Sequence, residues 1–273
     1  MKFSIIIPNY NGEAFIKKTI ESLINGLKGM KIIVVDDAST DKSVDEINSL
    51  KNNRVTLIQK PKNGGFASAV NKGIRYCKEK GVKFVIVANS DINVSPKDCS
   101  DIVESFHNFK QKNLGVIGYQ EFDDNNLKDN EDTPGFLFAL RLSIINKVGY
   151  FDEIFFMYGE EQDFFRRVIN CGFQIKQTGI RIKHYSEMSG SSGNHNAWLS
   201  IRNSIYLETK RKDWILIIRK ILILFLIINR IYGLKNRKDN SFLRITRPGI
   251  IKGNIYLFKA IRWNLNKMRS SND

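Results

Sequence analysis

The feature that most constrains the fold is an alternation of short apolar runs with amphipathic stretches over the first 90 residues. Four runs have the composition of β-strands, and helical periodicity lies between them; the runs are 3–7, 31–35, 54–59 and 82–88, and the helical stretches 15–24 and 67–80. Residues 32–35 and 84–87 are apolar without alternation, as in strands covered by helices on both faces. The pattern predicts an α/β fold with a Rossmann-like, mainly parallel sheet flanked by helices.

Polar residues follow three of these strands, at the edge where a parallel sheet binds its ligands. These strand ends read Pro8-Asn9-Tyr10-Asn11, Asp36-Asp37 and Asn89-Ser90-Asp91. Adjacent carboxylates at a strand end are costly unless they are solvated, hydrogen-bonded or matched to a ligand. Asp37, Ser39 or Asp41 could instead cap the next helix. Oxygen ligands at positions i and i+2 suit a divalent cation, although Asn-x-Asp is also common in ordinary turns.

Three further segments contain residue types that catalysis and binding use. Asn63-Gly64-Gly65 opens a helix, where backbone N–H groups approach a phosphate or simply form a tight turn. Glu160, Glu161 and Asp163 begin a helix expected to stop at Gly172, and they either complement the helix dipole or include a general base. His184 ends a further predicted strand, where it is either structural or a ligand.

Composition excludes several classes of protein. With 42% apolar and 26% charged residues the chain is neither disordered nor of low complexity. Its three cysteines form no CxxC pair, which argues against a disulfide scaffold and fits a reducing cytosol. The first apolar run ends at Pro8, so it is predicted to be a strand and not a signal peptide. Residues 121–132 are polar and acidic, which predicts a surface loop.

Positive charge is concentrated in the last quarter of the chain. The net charge is +15, and residues 201–273 contribute +13 of it through 17 basic and 4 acidic residues. Within this region the apolar stretch 214–232 is interrupted early by Arg219 and Lys220, which disfavours a membrane span. A helix would align four basic residues in one stripe, namely Lys212, Arg219, Arg230 and Arg237. The pattern favours a helix in the plane of an anionic membrane surface over one packed on the protein body.

In their order along the chain, these segments resemble the family 2 glycosyltransferases with the GT-A fold, particularly the rhamnosyltransferase-like branch. The matching residues are Pro8-Asn9-Tyr10-Asn11, Asp36 to Asp41, Asn63 to Ala67 with Asn71, Asn89-Ser90-Asp91, Glu160 to Asp163 with Arg167, His184 and Arg202-Asn203. Each motif is weak alone, but their common order makes chance agreement improbable.

The resemblance implies a role for each matching residue. Pro8, Tyr10 and Asp37 would hold the nucleotide base and ribose. The rest of the nucleotide-sugar site would comprise Asn9, Asn63, Gly64, Asn71 and Ser90. Asp91, Asn89 and His184 would hold Mg²⁺ or Mn²⁺ at the donor diphosphate. Glu161 stands where the family usually has its catalytic Asp, with Glu160 and Asp163 beside it.

Two departures from the family pattern concern the predicted site. Asn89 replaces an acidic residue, which lowers the charge of the cation site, and Glu161 is one methylene longer than Asp. The Gln-x-x-Arg-Trp motif of processive synthases is absent from the sequence. The family's usual chemistry is a metal-assisted direct displacement that inverts the anomeric centre.

These observations predict a catalytic domain over residues 1–205 and a basic, apolar helical extension over 206–273. The nucleotide-binding half would span about 1–115 and the acceptor-binding half about 116–205. Expected partners are a dTDP-, UDP- or GDP-linked sugar, a glycan or lipid-linked acceptor, and an anionic membrane surface, with a homodimer left open. The expected location is the inner face of the cell membrane.

Two other functions remain to be distinguished from glycosyl transfer. A nucleic-acid binder would need a recognisable motif, and the apolar tail with its scattered aromatic residues provides none. A sugar nucleotidyltransferase would need a glycine-rich, basic loop after the first strand, where Pro8-Asn9-Tyr10-Asn11 stands instead.

Overall fold

The computed structural model describes residues 3–122, 135–185, 193–211, 214–228 and 247–270. The chain divides into two compact units, Met1–Gly190 and Ser191–Asp273. Helix Gly193–Arg211 belongs to the second unit and runs through residue 205, the domain boundary expected from the sequence. Where the catalytic domain ends therefore stays a prediction.

The first unit is built on one sheet of eight strands within the described residues. The strands are β1 (Phe3–Asn9), β2 (Lys31–Asp36), β3 (Val55–Gln59), β4 (Phe84–Ala88), β5 (Ile92–Asn93), β6 (Leu114–Phe122), β7 (Leu137–Arg141) and β8 (Gln174–His184). Their spatial order is β3-β2-β1-β4-β7-β6-β8-β5. The pairs β3–β2, β2–β1, β1–β4 and β6–β8 are parallel, and the pairs involving β7 or β5 are antiparallel.

Among residues 3–122 and 135–185, six α-helices flank this sheet. They are α1 (Ile16–Gly26), α2 (Ser43–Ser49), α3 (Gly65–Glu79), α4 (Pro96–Ser105), α5 (Ile145–Val148) and α6 (Glu160–Asn170). Alternate residues of each central strand face opposite sides: Ile32 and Val34 pack with α1 and α4, whereas Ile33 and Val35 pack with α3 and α6. The central strands are apolar without interruption because helices cover both faces of the sheet. The mixed, mainly parallel sheet expected from the sequence is confirmed.

The described part of the second unit consists of three helices, α7 (Gly193–Arg211), α8 (Trp214–Ile228) and α9 (Arg247–Ser270). Its buried core is made by Ile205, Ile217, Leu257 and Ala260. The Arg202 guanidinium lies over the Trp263 ring at 4.8 Å from its centroid, and burial lowers the pKa of this arginine. As far as they are described, no helix is long and apolar enough to cross a membrane. Lys212, Arg230 and Arg237 of the predicted basic stripe lie outside the described residues, as do residues 123–132 of the predicted acidic loop. Residues 121–122 of that predicted loop are instead the end of strand β6.

Candidate active site

The carboxyl ends of β1 and β2 are joined by a side-chain network. Asn9 donates from Nδ2 to Asp36 Oδ1 at 2.9 Å, and the Ser39 hydroxyl donates to the same oxygen at 2.6 Å. Ser39 therefore serves this network and does not cap α2, whereas Asp41 accepts the N–H of Ser43, the first residue of that helix, at 3.0 Å. The buried Oδ1 of Asn9 has no hydrogen-bond partner among the residues that the structure describes.

Asp37 anchors the glycine-rich turn that precedes α3. Its buried carboxylate accepts the N–H groups of Gly65 at 2.7 Å and of Gly64 at 3.1 Å. The Lys60 ammonium forms an ion pair with the same carboxylate, and Asn63 Oδ1 accepts the Gly65 N–H at 3.0 Å. The two N–H groups that the sequence offered to a phosphate are thus already used. A carboxylate buried at a strand end needs such donors, and the turn supplies them.

The same turn lies against a strained segment of backbone before α6. Gly65 has φ +83°, and a Cβ added to it would lie 2.1 Å from the Phe156 carbonyl oxygen, so only glycine permits this approach. Phe156 has φ 64° and ψ −61°, and the Met157 N–H donates to the Phe155 carbonyl at 2.8 Å, which together define a γ-turn. Tyr158 follows with φ 72°. Such conformations cost about 1–3 kcal/mol each and cluster at functional sites.

Asn89, Asp91 and His184 come together at the ends of β4 and β8. His184 Nε2 lies 3.0 Å from Asp91 Oδ1 and 3.2 Å from Asn89 Nδ2. A neutral imidazole nitrogen either donates or accepts, so it can satisfy only one of these two neighbours. The buried Oδ1 of Asn89 has no hydrogen-bond partner within the described part of the chain. Thr19 fixes the turn between them, since its Oγ1 lies 2.8 Å from the carbonyl oxygens of Ser90 and Ile92.

This cluster has the donor set of a divalent-cation site that takes its remaining ligands from elsewhere. It offers one carboxylate, one imidazole nitrogen and one amide oxygen without a partner, and oxygen-rich sets of this kind suit Mg²⁺ or Mn²⁺. Among the described residues, no three His, Cys, Asp or Glu side chains are grouped to hold a metal ion alone. The cation would therefore depend on Asn89 and on oxygens of a bound ligand.

The acidic cluster occupies the first turn of α6, and its members differ sharply in environment. Glu160 is 4% exposed, and burial, reinforced by the neighbouring Glu161 charge, raises its pKa to about 8. Its Oε2 atom has no hydrogen-bond partner among the residues described. Burial also raises the pKa of Glu161, whose side chain lies against Gly135. Raised carboxyl pKa values of this kind are found at sites that transfer protons.

Asp163 has a different environment because it is paired with two arginines. Its carboxylate accepts from Arg167 Nε at 2.8 Å and lies 3.5 Å from a guanidinium nitrogen of Arg166. Arg167 also donates to the carbonyl oxygens of Val148 at 2.7 Å and Tyr150 at 3.0 Å. Asp163 therefore holds the chain that leads into α6, and its charge is already matched.

Two residues connect the acidic cluster of α6 with the cluster of Asn89, Asp91 and His184. Glu161 lies against Gly135, and the ring of the next residue, Phe136, stacks on His184 with 4.9 Å between ring centroids. The Phe136 carbonyl accepts the Asn89 N–H at 2.8 Å. The antiparallel strand β7 begins directly after this pair and lies beside β4. The fold thus brings the predicted base and the predicted metal ligands to one edge of the sheet.

Residues 4–173 match the family described as Glycosyl transferase family 2, and this match covers more than half of the chain. The chain belongs to glycosyl transferase family 2. The family resemblance expected from the sequence is therefore confirmed.

Several curated relatives of this family 2 glycosyltransferase align with part of the chain. An uncharacterized glycosyltransferase of Haemophilus influenzae is 32% identical over 131 residues, 47% of this chain and 50% of that protein. The minor teichoic acid biosynthesis protein GgaA of Bacillus subtilis is 34% identical over 122 residues, 42% of this chain and 27% of that protein. The poly(ribitol-phosphate) beta-glucosyltransferase of Bacillus spizizenii is 34% identical over 123 residues, 43% of this chain and 18% of that protein. The alignments span half or less of these relatives.

Two solved structures illustrate the fold that this chain shares. A mannosyltransferase from Pyrobaculum calidifontis in complex with GDP-Man and Mn²⁺ has a TM-score of 0.64 and 14% identity, covering 97% of this chain and 87% of that one. S. aureus TarS 1-349 has a TM-score of 0.58 and 18% identity, covering 95% of this chain and 81% of that one. The family 2 chain has the GT-A fold of these structures, as its sequence predicted.

The remaining predicted residues lie at different distances from this edge. Pro8 is buried within β1, and Tyr10 directly after it is 49% exposed and available to a ligand. Asn71 is buried on α3, and its amide binds the chain at Phe151 and Glu153. The amide of Asn71 is occupied by hydrogen bonds inside the protein. These bonds do not support a direct contact of Asn71 with the donor.

Sequence reasoning missed three residues that shape the site of this glycosyltransferase. Lys60 directly follows β3, so the rule that polar residues at parallel strand ends form ligand sites would have found it. Thr19 and Gly135 gave no local signal. Thr19 lies inside an amphipathic helix, and Gly135 matters only because Glu161 packs on it.

Proposed function

We propose that this chain transfers a sugar from a nucleotide-sugar donor to an acceptor hydroxyl, with a divalent cation at the donor diphosphate. The observation that carries the proposal is the junction at Gly135 and Phe136. This pair touches Glu161 on one side and His184 on the other. A base and a cation site that share one short segment fit a reaction in which a proton leaves the acceptor as a diphosphate leaves the donor.

Asp91, His184 and Asn89 are the residues that would hold Mg²⁺ or Mn²⁺ in this proposal. Bound there, the cation would supply neutralisation of the charge that develops on the leaving diphosphate. The partnerless amide oxygen of Asn89 supports this assignment, since a buried polar atom requires a partner. Mn²⁺ in the structures of related fold is a further support.

Glu161 is the general base in this proposal. Asp163 is ion-paired with Arg167, and Glu160, with its pKa raised to about 8, is mostly protonated at neutral pH. Burial raises the pKa of Glu161, and within the described part of the chain this side chain forms no ion pair, so its carboxylate is the one left to accept a proton. One base and no protein nucleophile are what a single displacement needs, so we propose inversion at the anomeric carbon.

The donor nucleotide in this proposal lies at the carboxyl ends of β1 and β2. Tyr10 would stack on the base, and Pro8, Asn9 and Ser90 would line the pocket. Asp37 would shape it indirectly, because its carboxylate is occupied by Lys60 and by the N–H groups of the glycine turn that Asn63 and Gly64 open.

The acceptor in this proposal is a lipid-linked glycan or another cell-surface polysaccharide precursor, and the chain works peripherally on the cytoplasmic side of a membrane. Teichoic acid proteins among the relatives support the acceptor class. Helix α8 supports the proposed membrane location because five of its apolar side chains are 45–79% exposed, namely Trp214, Ile215, Ile218, Leu222 and Phe225. At 100° per residue they lie within an arc of about 100°, and Arg219 lies beside it.

The deciding experiment is transfer by Glu161→Gln. This substitution keeps the side-chain shape and removes the proton acceptor, so transfer should fall by about two orders of magnitude or more while donor binding survives. Glu104→Gln, which changes an exposed carboxylate on α4, serves as the matched control. Binding is followed by thermal unfolding with dTDP-, UDP- and GDP-sugars and Mn²⁺. Turnover of Glu161→Gln equal to that of the control would reject a carboxylate base at this position.

A further inference from the structure

The side chain of Asn71 ties α3 to a segment more than 75 residues later. Its Nδ2 donates to the Phe151 carbonyl and to Glu153 Oε1, each at 2.9 Å, and its Oδ1 accepts the Phe151 N–H at 3.0 Å. The residue is 1% exposed. Both ends of the amide are therefore engaged, and the backbone of Phe151 is held in both directions.

The clamped segment leads directly into the γ-turn at Phe156 and then into α6. Phe155 is fully buried, and the Phe156 carbonyl rests against Gly65, at the amino end of the helix that contains Asn71. The segment is thus fixed to α3 at two places, six residues apart along that helix. A backbone held in left-handed conformations persists only where its surroundings impose it.

The position of the first residues of α6 depends on this segment. The Asp163 N–H donates to the Gly159 carbonyl at 3.0 Å, so the first helical turn is continuous with the chain before it. A shift at residues 151–156 would therefore move Glu160 and Glu161 relative to Gly65 and to the donor side of the site.

We infer that Asn71 is a positioning residue, which sets the place of the Glu161 carboxylate by clamping residues 151–153 and with them the γ-turn. This inference rests on the proposed function, because it takes Glu161 as the base. It replaces the nucleotide contact expected for Asn71 from the sequence. The contact between Asn71 and residues 151–153 joins the predicted donor half of the first unit to its predicted acceptor half, where a small displacement is costly.

The first test is Asn71→Leu, which keeps the branched shape of the side chain and removes all three hydrogen bonds. The value of kcat should fall about 10- to 100-fold, because misplacement of a catalytic group by about 1 Å costs up to about 100-fold. The donor KM should change less than about threefold, since Asp37 and not Asn71 holds Gly64 and Gly65. Ser105→Ala, which removes the buried hydroxyl contact to Tyr119 at 2.9 Å, controls for loss of stability alone.

The second test is rescue across the clamp. Asn71→Asp loses both donors and places a carboxylate against Glu153, so kcat should fall as in Asn71→Leu. Adding Glu153→Gln restores one donor to this contact and should recover at least severalfold of the lost kcat. Glu153→Gln alone should stay within about threefold of the wild type, because its amide oxygen still accepts from Asn71.

Hydrogen exchange of residues 151–159 separates this inference from the proposed function. Faster exchange there in Asn71→Leu, beyond that in Ser105→Ala, is expected whether or not any nucleotide sugar is turned over. A wild type without transfer would reject the proposed function only. A raised donor KM with unchanged kcat, no rescue by Glu153→Gln, or unchanged exchange would each overturn the positioning role.

Discussion

The carboxyl group of Glu160 lies where a negative charge is costly. It is 4% exposed, its neighbour Glu161 is also acidic, and its Oε2 has no hydrogen-bond partner in the described part of the chain. The helix amino terminus offsets only part of this cost. At the residue scale, holding two carboxyl groups with raised pKa values side by side in the first turn of α6 therefore lowers the stability of the fold.

The raised pKa of Glu160 predicts how stability depends on pH. Because burial raises this pKa from 4.5 to about 8, the folded chain retains a proton that the unfolded chain loses, so stability falls as pH rises through that window. Glu160→Gln has no proton to lose. We expect its melting temperature to exceed that of the wild type at pH 8, by about 2–4 °C for each kcal/mol relieved, and to differ little at pH 4.

Thermal unfolding between pH 4 and pH 8 measures this difference, with Glu104→Gln as the exposed control. A variant that is less stable than the wild type at pH 8 would show that the Glu160 carboxylate is stabilised by contacts inside the fold, contrary to this prediction.

At the element scale, α8 has two faces with different surroundings. Ile217 is buried in the core of the second unit, whereas Ile218 and Leu222 are 65% and 54% exposed. An exposed apolar face of this size is uncommon on a surface meant to stay in water. The surrounding sequence is strongly basic, with a net charge of +13 over residues 201–273, and this combination suits an anionic lipid surface.

Ile218→Ser with Leu222→Ser should weaken binding to anionic liposomes by at least about tenfold, because burying such a side chain contributes about 1.5–3 kcal/mol. Arg219→Gln should mainly reduce the dependence of binding on salt. Val103→Ser, which changes an exposed apolar residue of α4, is the matched control. Sedimentation with vesicles measures the partitioning. Vesicle binding that is equal in all variants, or a dimer that the double serine variant dissociates, would contradict a lipid-facing α8.

At the scale of the whole molecule, donor and cation should stabilise the fold together. A ligand that binds only the folded chain adds about 2.7 kcal/mol at 100 times its Kd. We expect a nucleotide sugar with Mn²⁺ to raise the melting temperature by several degrees. Asp91→Ala should lose the part of this shift that depends on Mn²⁺, because it removes the only carboxylate of the predicted cation site.

Glu104→Gln again controls for a change of charge, and EDTA controls for the metal. An Asp91→Ala protein that keeps the full Mn²⁺-dependent shift would move the cation away from Asn89 and His184. Conversely, a shift that needs no cation in the wild type would remove the metal from the proposed function.

The sequence alone predicted the class of the sheet and the polar residues at three of its strand ends. Strands covered on both faces are apolar throughout, so 32–35 and 84–87 were identifiable without the fold, and so were the polar residues after β1, β2 and β4. These signals are local, because strand-forming residues and the residue that ends a strand are neighbours in the chain. The family order of the motifs added His184 and Glu161.

Only the tertiary structure distinguished the members of each cluster. Asp163 and Glu161 are two residues apart, yet Arg167 pairs with one and Gly135 lies against the other. Asn71 was matched to a nucleotide site from its motif, but its amide binds Phe151. Asp37 was also matched to a nucleotide site from its motif, but its carboxylate accepts the N–H of Gly65 in the glycine turn. Hydrogen-bond partners of buried polar groups come from distant parts of the chain, because burial removes water and the fold decides which groups replace it.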